Sequence, residues 1–168
     1  MISADAVVVA AGVDSAPLLA RLGIALPLHP VRLNTLTAPV AYEEHAPHLT
    51  VVDSIKRITM TRMHQRVRIG GAAVLQSEKD TARRPLPEAL GEAALALLGQ
   101  ATHDWIPGAA KISAALPWQG TRHLSPDGLP VVGPTRHPRV FVNLANGPAG
   151  WGLACGSAKQ LCVNHNTY

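Results

Sequence analysis

The amino-acid sequence predicts an α/β (α+β) fold, because two stretches of the chain follow different hydrophobic patterns. A continuous apolar run at residues 6–10 is followed by a turn at Gly12 and by a helical pattern at 15–22. An unbroken apolar strand is typical of a parallel sheet that is buried on both faces. Residues 58–69 instead alternate between apolar and polar side chains, which predicts an antiparallel hairpin with one buried face.

The first half of the chain contains further strand signals around this hairpin. A strand bracketed by prolines is predicted at 27–40, and another strand at 50–53 precedes the hairpin. The pair Gly70 and Gly71 predicts either a bulge or a ligand that approaches the backbone closely. Four apolar residues of the hairpin are expected to face the core: Ile58, Met60, Val67 and Ile69.

The second half of the chain begins with a helical pattern and then returns to strands. A helix is predicted at 87–98, with an apolar stripe formed by Leu90, Ala94, Leu97 and Leu98. Three more strands are then predicted, and a glycine-rich loop leads into a last helix that starts near residue 152. The strands are expected at 117–124, 129–133 and 139–145.

Composition narrows the class of protein. The chain has 168 residues, of which 47% are hydrophobic and 15% charged, and this balance is typical of a well-buried globular domain. The formal net charge is +4, but the basic residues are scattered, so no nucleic-acid partner is predicted. Cys155 and Cys162 are about 10 Å apart along the predicted helix, too far for a disulfide, which favours a cytoplasmic protein. No HExxH or CxxC spacing indicates a metal site.

Two features indicate ligand binding, and each has a second interpretation. Glycines at Gly147, Gly150 and Gly152 would let the backbone approach a flat or anionic group, or they form an ordinary junction between loop and helix. Arg122, just before a Pro-Asp-Gly turn, either binds a carboxylate through two parallel hydrogen bonds or makes a surface ion pair. The residues alone leave both choices open.

Four segments in sequence order resemble the flavin-dependent D-amino-acid oxidoreductase family, most closely its bacterial D-amino-acid dehydrogenase small subunits. The segments lie at 7–19, 56–71, 120–133 and 143–161. The resemblance implies the carboxy-terminal part of a Rossmann-like FAD-binding domain with an inserted antiparallel-sheet substrate domain. Residues 1–27 would belong to the FAD-binding domain, 28–118 to the substrate domain, and 119–168 to the returning part of the FAD-binding domain.

The same resemblance implies roles for individual residues. Arg122 matches the arginine that binds the α-carboxylate of the substrate, and Gly12 matches a glycine beside the ADP part of FAD. No side-chain acid or base is implied, because hydride transfer from a bound neutral amino acid to FAD yields an imine that hydrolyses to a 2-oxo acid and ammonia. The loop matched to the flavin ring comprises Ala145, Asn146, Gly147, Gly150, Trp151, Gly152 and Leu153.

The family also implies partners and a location. These are a D-amino acid substrate, an electron acceptor of the respiratory chain, and an association with the surface of the inner membrane. Two alternatives remain: a relative of the glycine and sarcosine oxidases, and a non-catalytic subunit that completes a flavin site together with a separate chain. An upstream reading frame that encodes G-x-G-x-x-G would help to separate these possibilities. If it continues in the same frame, this chain is a fragment, and if it is an independent gene, the enzyme is split.

The chain also departs from the family pattern. The G-x-G-x-x-G strand and its acidic residue are absent, the usual Gly-His-Gly is Ala145-Asn146-Gly147, and the usual Arg-Pro is Arg122-His123. An acidic residue expected near Val74 is also missing. From these departures and from the polar ending CVNHNTY, we expect a carboxy-terminal fragment of a larger flavoenzyme. The larger enzyme is expected to be catalytic, whereas the sequence does not decide whether the fragment alone is.

Overall fold

A computed structural model of the protein describes residues 3–76 and 88–165. Short 3-10 turns lie at Gly12–Asp14, Glu43–His45 and Ile112–Ala114. The strands and helices are, in order, β1 (Val7–Val9), α1 (Ser15–Ala20), β2 (His29–Pro39), β3 (Val51–Asp53), β4 (Ile58–Met63), β5 (Arg66–Leu75), α2 (Glu88–Trp105), β6 (Leu116–Leu124), β7 (Val131–Pro134), β8 (Val140–Leu144) and α3 (Gly150–His165).

The chain divides into two compact units. Among the described residues, unit 1 comprises 3–31, 75–76 and 121–165, and unit 2 comprises 32–74 and 88–120. The chain passes from one unit to the other within β2, β5 and β6. Compactness does not tell which residues bind a cofactor or a substrate, so the functional domain limits stay a prediction.

Unit 1 contains a three-stranded sheet in the order β1-β8-β7. β1 runs parallel to β8, with Val7 opposite Val140 and Val9 opposite Val142, while β7 is antiparallel to β8. The parallel pairing predicted for the first strand is therefore confirmed. The core of this unit combines α1 and the following turn with β8: Leu19, Ile24, Leu28, Val140, Val142 and Leu144.

The expected burial of β1 on both faces is wrong for this chain. The side chains of Val7 and Val8 are 53% and 47% exposed. The apolar run predicts neighbours around the strand, but within residues 3–76 and 88–165 β1 pairs with β8 alone and lies at the edge of its sheet. Side chains of a strand point to the two faces of the sheet, so the exposure of Val7 and Val8 shows that both faces are incompletely covered, while the edge position leaves backbone groups unpaired.

A second, five-stranded sheet follows the order β3-β4-β5-β2-β6. β4 and β5 form the predicted hairpin, with Met60 opposite Ile69 and Met63 opposite Arg66. The predicted alternation is confirmed, since Ile58, Met60, Val67 and Ile69 are all at most 1% exposed. Together with Leu36, and with Leu98 and Ala101 of α2, they form the core of unit 2.

Close packing of backbone explains the second glycine of the pair in β5, Gly71. Gly71 has a φ of +149°, and a Cβ atom there would lie 2.7 Å from the carbonyl oxygen of Arg57. The next residue, Ala72, also has a positive φ, of 46°. The group that approaches Gly71 is therefore backbone of the same unit and not the predicted ligand, and the predicted bulge stays a prediction.

α2 differs from its prediction in length and in the face that it buries. The helix continues well past residue 98, and its predicted first residue lies outside the described part of the chain. Ala94 and Leu98 are buried as expected, but Leu90 and Leu97 are 48% and 41% exposed. Successive residues on a helix are rotated by about 100°, so Leu97 cannot share the centre of the buried face with its neighbour Leu98.

Among residues 3–76 and 88–165, every helix is too short or too polar to span a lipid bilayer.

Candidate functional site

A depression of about 370 Å³ lies entirely within unit 1. It is formed where the chain leaves β1, where it leaves β8, and along the last residues of β6. The carboxyl ends of neighbouring parallel strands are where open α/β sheets bind ligands. The lining residues are Ala10, Gly12, Val13, Thr121, Arg122, His123, Asn143, Leu144, Ala145, Asn146 and Gly147.

Tight turns bring the two strand ends to this depression. Gly12 and Gly147 have φ values of +57° and +61°, a left-handed conformation that glycine adopts with little strain. Ala145 has a φ of +54°, which is costly for a residue with a Cβ atom. A Cβ atom on Gly12 would meet no heavy atom within 4 Å, so the backbone there borders open space. The turns therefore leave a wall of exposed backbone on this side of the depression.

Arg122 supplies the cationic side chain in the lining. Its Nη1 donates a hydrogen bond to the carbonyl oxygen of Gly147 over 3.2 Å. Partial burial lowers the pKa of the Arg122 guanidinium, although arginine remains charged in proteins. Within residues 3–76 and 88–165 no carboxylate pairs with Arg122, and the lining contains neither Asp nor Glu. The remaining guanidinium donors are thus available for an anionic ligand.

A chain of hydrogen bonds holds the loop after β8 against α3. The Ser157 hydroxyl donates to the carbonyl oxygen of Ala154 (3.1 Å), and Nδ2 of Asn143 donates to the Ser157 Oγ (3.2 Å). Nδ2 of Asn146 then donates to Oδ1 of Asn143 (2.9 Å). The carbonyl oxygen of Ala154 can only accept, so the Ser157 hydroxyl must donate its proton there. The Ser157 oxygen then accepts from the Asn143 amide, whose own oxygen accepts from Asn146. The network fixes both amide side chains at the wall of the depression.

His123 occupies the position next to Arg122 and also lines the depression. Its Nδ1 is buried and has no hydrogen-bond partner within the part of the chain that the structure describes. Burial lowers the pKa of His123 below its ordinary value, because the charged imidazolium loses hydration. The folded protein therefore favours a neutral imidazole at this wall.

We expect His123 to make the stability of unit 1 depend on pH. Its pKa is lower in the folded than in the unfolded chain, so the unfolded chain binds the proton first as the pH falls. The stability due to a neutral His123 is fully present above an unfolded pKa of about 6.5 and is lost below it. The measured quantity is the drop in Tm from about pH 8 to about pH 5, which should be smaller in His123→Gln than in the parent. The matched control is His103→Gln, at an exposed position of α2, and an equal drop in all three proteins would contradict the prediction.

The structure brings together some of the predicted site residues. Gly12, Arg122 and the segment 145–147 line the same depression, although they are far apart in sequence. Residues 150–153 do not line it, and Trp151 is 97% exposed. The backbone N–H of Gly150 donates to Gly147 and therefore takes part in the start of α3. The roles assigned to these residues stay predictions.

Sequence reasoning missed several lining residues. Thr121 and His123 flank Arg122 on β6, and Asn143 and Leu144 close β8. The position of Asn143, a polar residue at the end of an apolar strand, was the one available signal. Ser157 could not be found in this way, because it acts through Asn143 across 14 positions of the chain.

Comparison with known proteins identifies the family. A profile described as "FAD dependent oxidoreductase" matches residues 2–162. The chain is 38% identical over 159 residues to the D-amino acid dehydrogenase of Xanthobacter autotrophicus, covering 95% of this chain and 36% of the relative. It is 40% identical over 159 residues to the D-amino acid dehydrogenase of Rhizobium johnstonii, with the same coverage.

Solved structures agree in fold. Iminodiacetate oxidase from Chelativorans sp. BNC1 superposes with a TM-score of 0.73 at 19% identity, covering 99% of this chain and 43% of that one. Glycine oxidase from Geobacillus kaustophilus superposes with a TM-score of 0.65 at 24% identity, covering 95% of this chain and 42% of that one.

The matches cover nearly all of this chain but only part of each curated relative. The chain spans 36% of the length of the two curated relatives, so their complete activity is not transferred to it. The family match, however, covers nearly all of the 168 residues, and the identities lie well above those of the structural neighbours. This protein belongs to the family of FAD-dependent oxidoreductases.

Proposed function

We propose that this chain supplies the substrate-binding arginine and the flavin-facing loop of an FAD-dependent D-amino acid dehydrogenase. One observation carries the proposal: Arg122 is partly buried in a depression that has no acidic side chain, at the carboxyl ends of two parallel strands. The names of the relatives support a D-amino acid as the substrate. An α-carboxylate would complete the hydrogen bonding of the guanidinium.

The residues of the depression fit a flavin at the backbone wall. Gly12 and the segment 145–147 would contact FAD through main-chain atoms, since no side chain projects from Gly12 or Gly147. A flat ring needs such a wall to come close to the protein. When bound, FAD supplies the two-electron oxidant and accepts a hydride.

Arg122 would orient the substrate for this chemistry. A guanidinium that holds the carboxylate through two hydrogen bonds restricts rotation and directs the Cα–H bond. The amino group must be neutral before the hydride leaves Cα. Loss of the hydride leaves a protonated imine, which water converts to a 2-oxo acid and an ammonium ion. The partly buried cation therefore contributes binding and orientation rather than proton transfer.

The wider partners are also proposals. A respiratory-chain electron acceptor and a peripheral association with the inner membrane follow from resemblance to the family alone. The glycine oxidase and iminodiacetate oxidase folds favour an amine oxidase as a second candidate. A third candidate, a non-catalytic partner in a split flavoenzyme, also stays a proposal.

The test of the proposal joins this chain to the amino-terminal part of the Xanthobacter autotrophicus relative, which is expected to carry the dinucleotide-binding motif. The joined enzyme should reduce an artificial electron acceptor with D-alanine and release pyruvate and ammonia. Glycine, sarcosine and L-alanine serve as comparison substrates. Oxidation of glycine or sarcosine with oxygen as the acceptor would instead favour the amine oxidase.

The 168-residue chain without such a partner should not retain FAD. No G-x-G-x-x-G segment is present in its sequence, and that loop normally binds the pyrophosphate. The measurement is the flavin absorbance of purified chain after gel filtration, with the joined enzyme as the positive control. A yellow preparation with nearly one flavin per chain would contradict the expectation.

A further inference from the structure

A serine is the only buried residue in the stretch 150–163 of α3. Ser157 is 8% exposed, whereas the apolar residues Trp151 and Leu153 of the same helix are 97% and 38% exposed. A helix ordinarily buries an apolar stripe against its domain, and a buried hydroxyl there must find hydrogen-bond partners. The burial of Ser157 therefore draws attention to the hydrogen bonds that it makes, described above, with Ala154 and Asn143.

The segment 145–147, which wall off one side of the depression, lies at the other end of this network. Nδ2 of Asn146 donates to Asn143 over 2.9 Å, and Asn143 is bonded in turn to Ser157. Ala145 has a φ of +54°, a conformation that persists in a residue with a Cβ atom only when its surroundings hold it. Ser157 does not line the depression, so it acts on this segment only through the two amide side chains.

The same segment carries backbone donors that the protein does not use. Among residues 3–76 and 88–165, no group accepts a hydrogen bond from the N–H of Ala145, Asn146 or Gly147. All three residues line the depression. The carbonyl oxygen of Gly147, in contrast, accepts from Arg122 and from the N–H of Gly150. The segment therefore has donors left for a ligand that brings acceptor atoms.

Donors that are held in place favour the reduced form of a bound flavin. Reduction by a hydride adds negative charge to the ring, whereas the oxidised ring is neutral. Hydrogen bonds to a charged acceptor are stronger than those to a neutral one. Donors that are fixed beforehand need no reorganisation when the charge appears, so their effect depends on the groups that hold them.

We propose that Ser157 and Asn143 are positioning residues that raise the reduction potential of FAD by holding the N–H groups of segment 145–147 in place. The inference rests on the proposed function, because it places the flavin ring against this segment. It goes further by assigning a measurable redox property to a serine outside the depression. The hydroxyl of Ser157 acts through Asn143 and needs no contact with the ring.

The experiment measures the reduction potential of the joined enzyme, fully loaded with FAD, by spectroscopic titration against a dye of known potential. Ser157→Ala removes the hydroxyl. We expect the affinity for reduced FAD, relative to oxidised FAD, to fall by at least about tenfold, which lowers the two-electron potential by about 30 mV. Ser157→Thr retains the hydroxyl and should keep this affinity ratio within about twofold of the parent.

A second variant tests the connection itself. Asn143→Ala removes the amide between Ser157 and Asn146 and should lower the potential by at least as much as Ser157→Ala. Combining the two substitutions should lower the potential no further than Asn143→Ala alone, because Ser157 then has no route to the segment. A fall in the double variant equal to the sum of the two single falls would contradict the proposed connection.

Thr135→Val is the matched control for a purely structural role. It removes a hydroxyl that donates to the carbonyl oxygen of Val140 over 2.9 Å, in the same unit but outside the lining of the depression. A lower Tm with an unchanged potential is the result expected of this control. The same result for Ser157→Ala and Asn143→Ala would overturn the proposal.

The remaining outcomes separate this proposal from the proposed function. The expected potentials in a joined enzyme that does not oxidise D-alanine would support the role of Ser157 and count against the proposed function. Arg122-dependent oxidation of D-alanine with equal potentials in the parent and Ser157→Ala would do the reverse. A joined enzyme that retains no FAD would overturn both.

Discussion

Replacing Arg122 by alanine in the joined enzyme is expected to lower kcat/KM for D-alanine by about two to four powers of ten. The loss arises because the substrate carboxylate would enter a partly buried depression that then has neither a cationic nor an acidic side chain. Removing one partner of such a pair costs about 3–5 kcal/mol. The measurement is steady-state dye reduction across a range of D-alanine concentrations.

The Arg122→Lys variant distinguishes charge from geometry. Lysine keeps the cation but cannot form two parallel hydrogen bonds to a carboxylate, so its activity should fall between those of the parent and the alanine variant. Arg136→Ala is the matched control, since Arg136 is an exposed arginine of unit 1 outside the lining of the depression. Bound FAD should be unchanged in all three variants.

Two results would contradict the role of Arg122. The first is a kcat/KM within about threefold of the parent for Arg122→Ala with D-alanine and other active D-amino acids. The second is a loss of activity in proportion to a loss of bound FAD. That outcome would show that Arg122 stabilises the loop through its hydrogen bond to Gly147 and does not bind the substrate.

Replacing Gly71 by alanine is expected to lower the free energy of unfolding of unit 2 by about 2–4 kcal/mol. Two causes add together: the φ of +149° is unfavourable for a residue with a Cβ atom, and that atom would lie 2.7 Å from the carbonyl oxygen of Arg57. Neither β4 nor β5 can shift without disturbing Ile58 and Ile69, which are completely buried. Urea denaturation followed by circular dichroism would measure the change.

Gly99→Ala provides the control in the same unit. Gly99 lies inside α2, where a Cβ atom would be in ordinary contact with Ile112 at 3.4 Å. Alanine is favoured over glycine in a helix by about 0.5–1 kcal/mol, so this variant should be unchanged or slightly more stable. Similar destabilisation by both substitutions would show that backbone conformation is not the cause at Gly71.

Local hydrophobic patterns predicted much of the fold. The alternation in the hairpin placed Ile58, Met60, Val67 and Ile69 in the core, because side chains on a strand alternate between its two faces. The unbroken apolar run predicted a strand of a parallel sheet, and β1 pairs in parallel with β8. Each of these two sequence patterns is formed by residues that are close together in the chain.

The residues of the candidate site were predictable to a smaller extent. Gly12, Arg122 and the loop at 145–147 were selected from a glycine turn, an isolated arginine and family resemblance, and they line one depression. His123, Asn143 and Ser157 were not selected, since a histidine, an asparagine or a serine in isolation has many ordinary roles.

Features that depend on distant contacts required the tertiary structure. The exposure of the β1 side chains follows from what packs on the two faces of the strand, and the buried face of α2 follows from which residues meet Ile58 and Met60. The bond from Arg122 to Gly147 spans 25 positions of the chain, and the backbone of Arg57, just before β4, lies close to Gly71 of β5. A sequence pattern records the period of a strand or helix, but it does not record which distant groups the folded chain places opposite each residue.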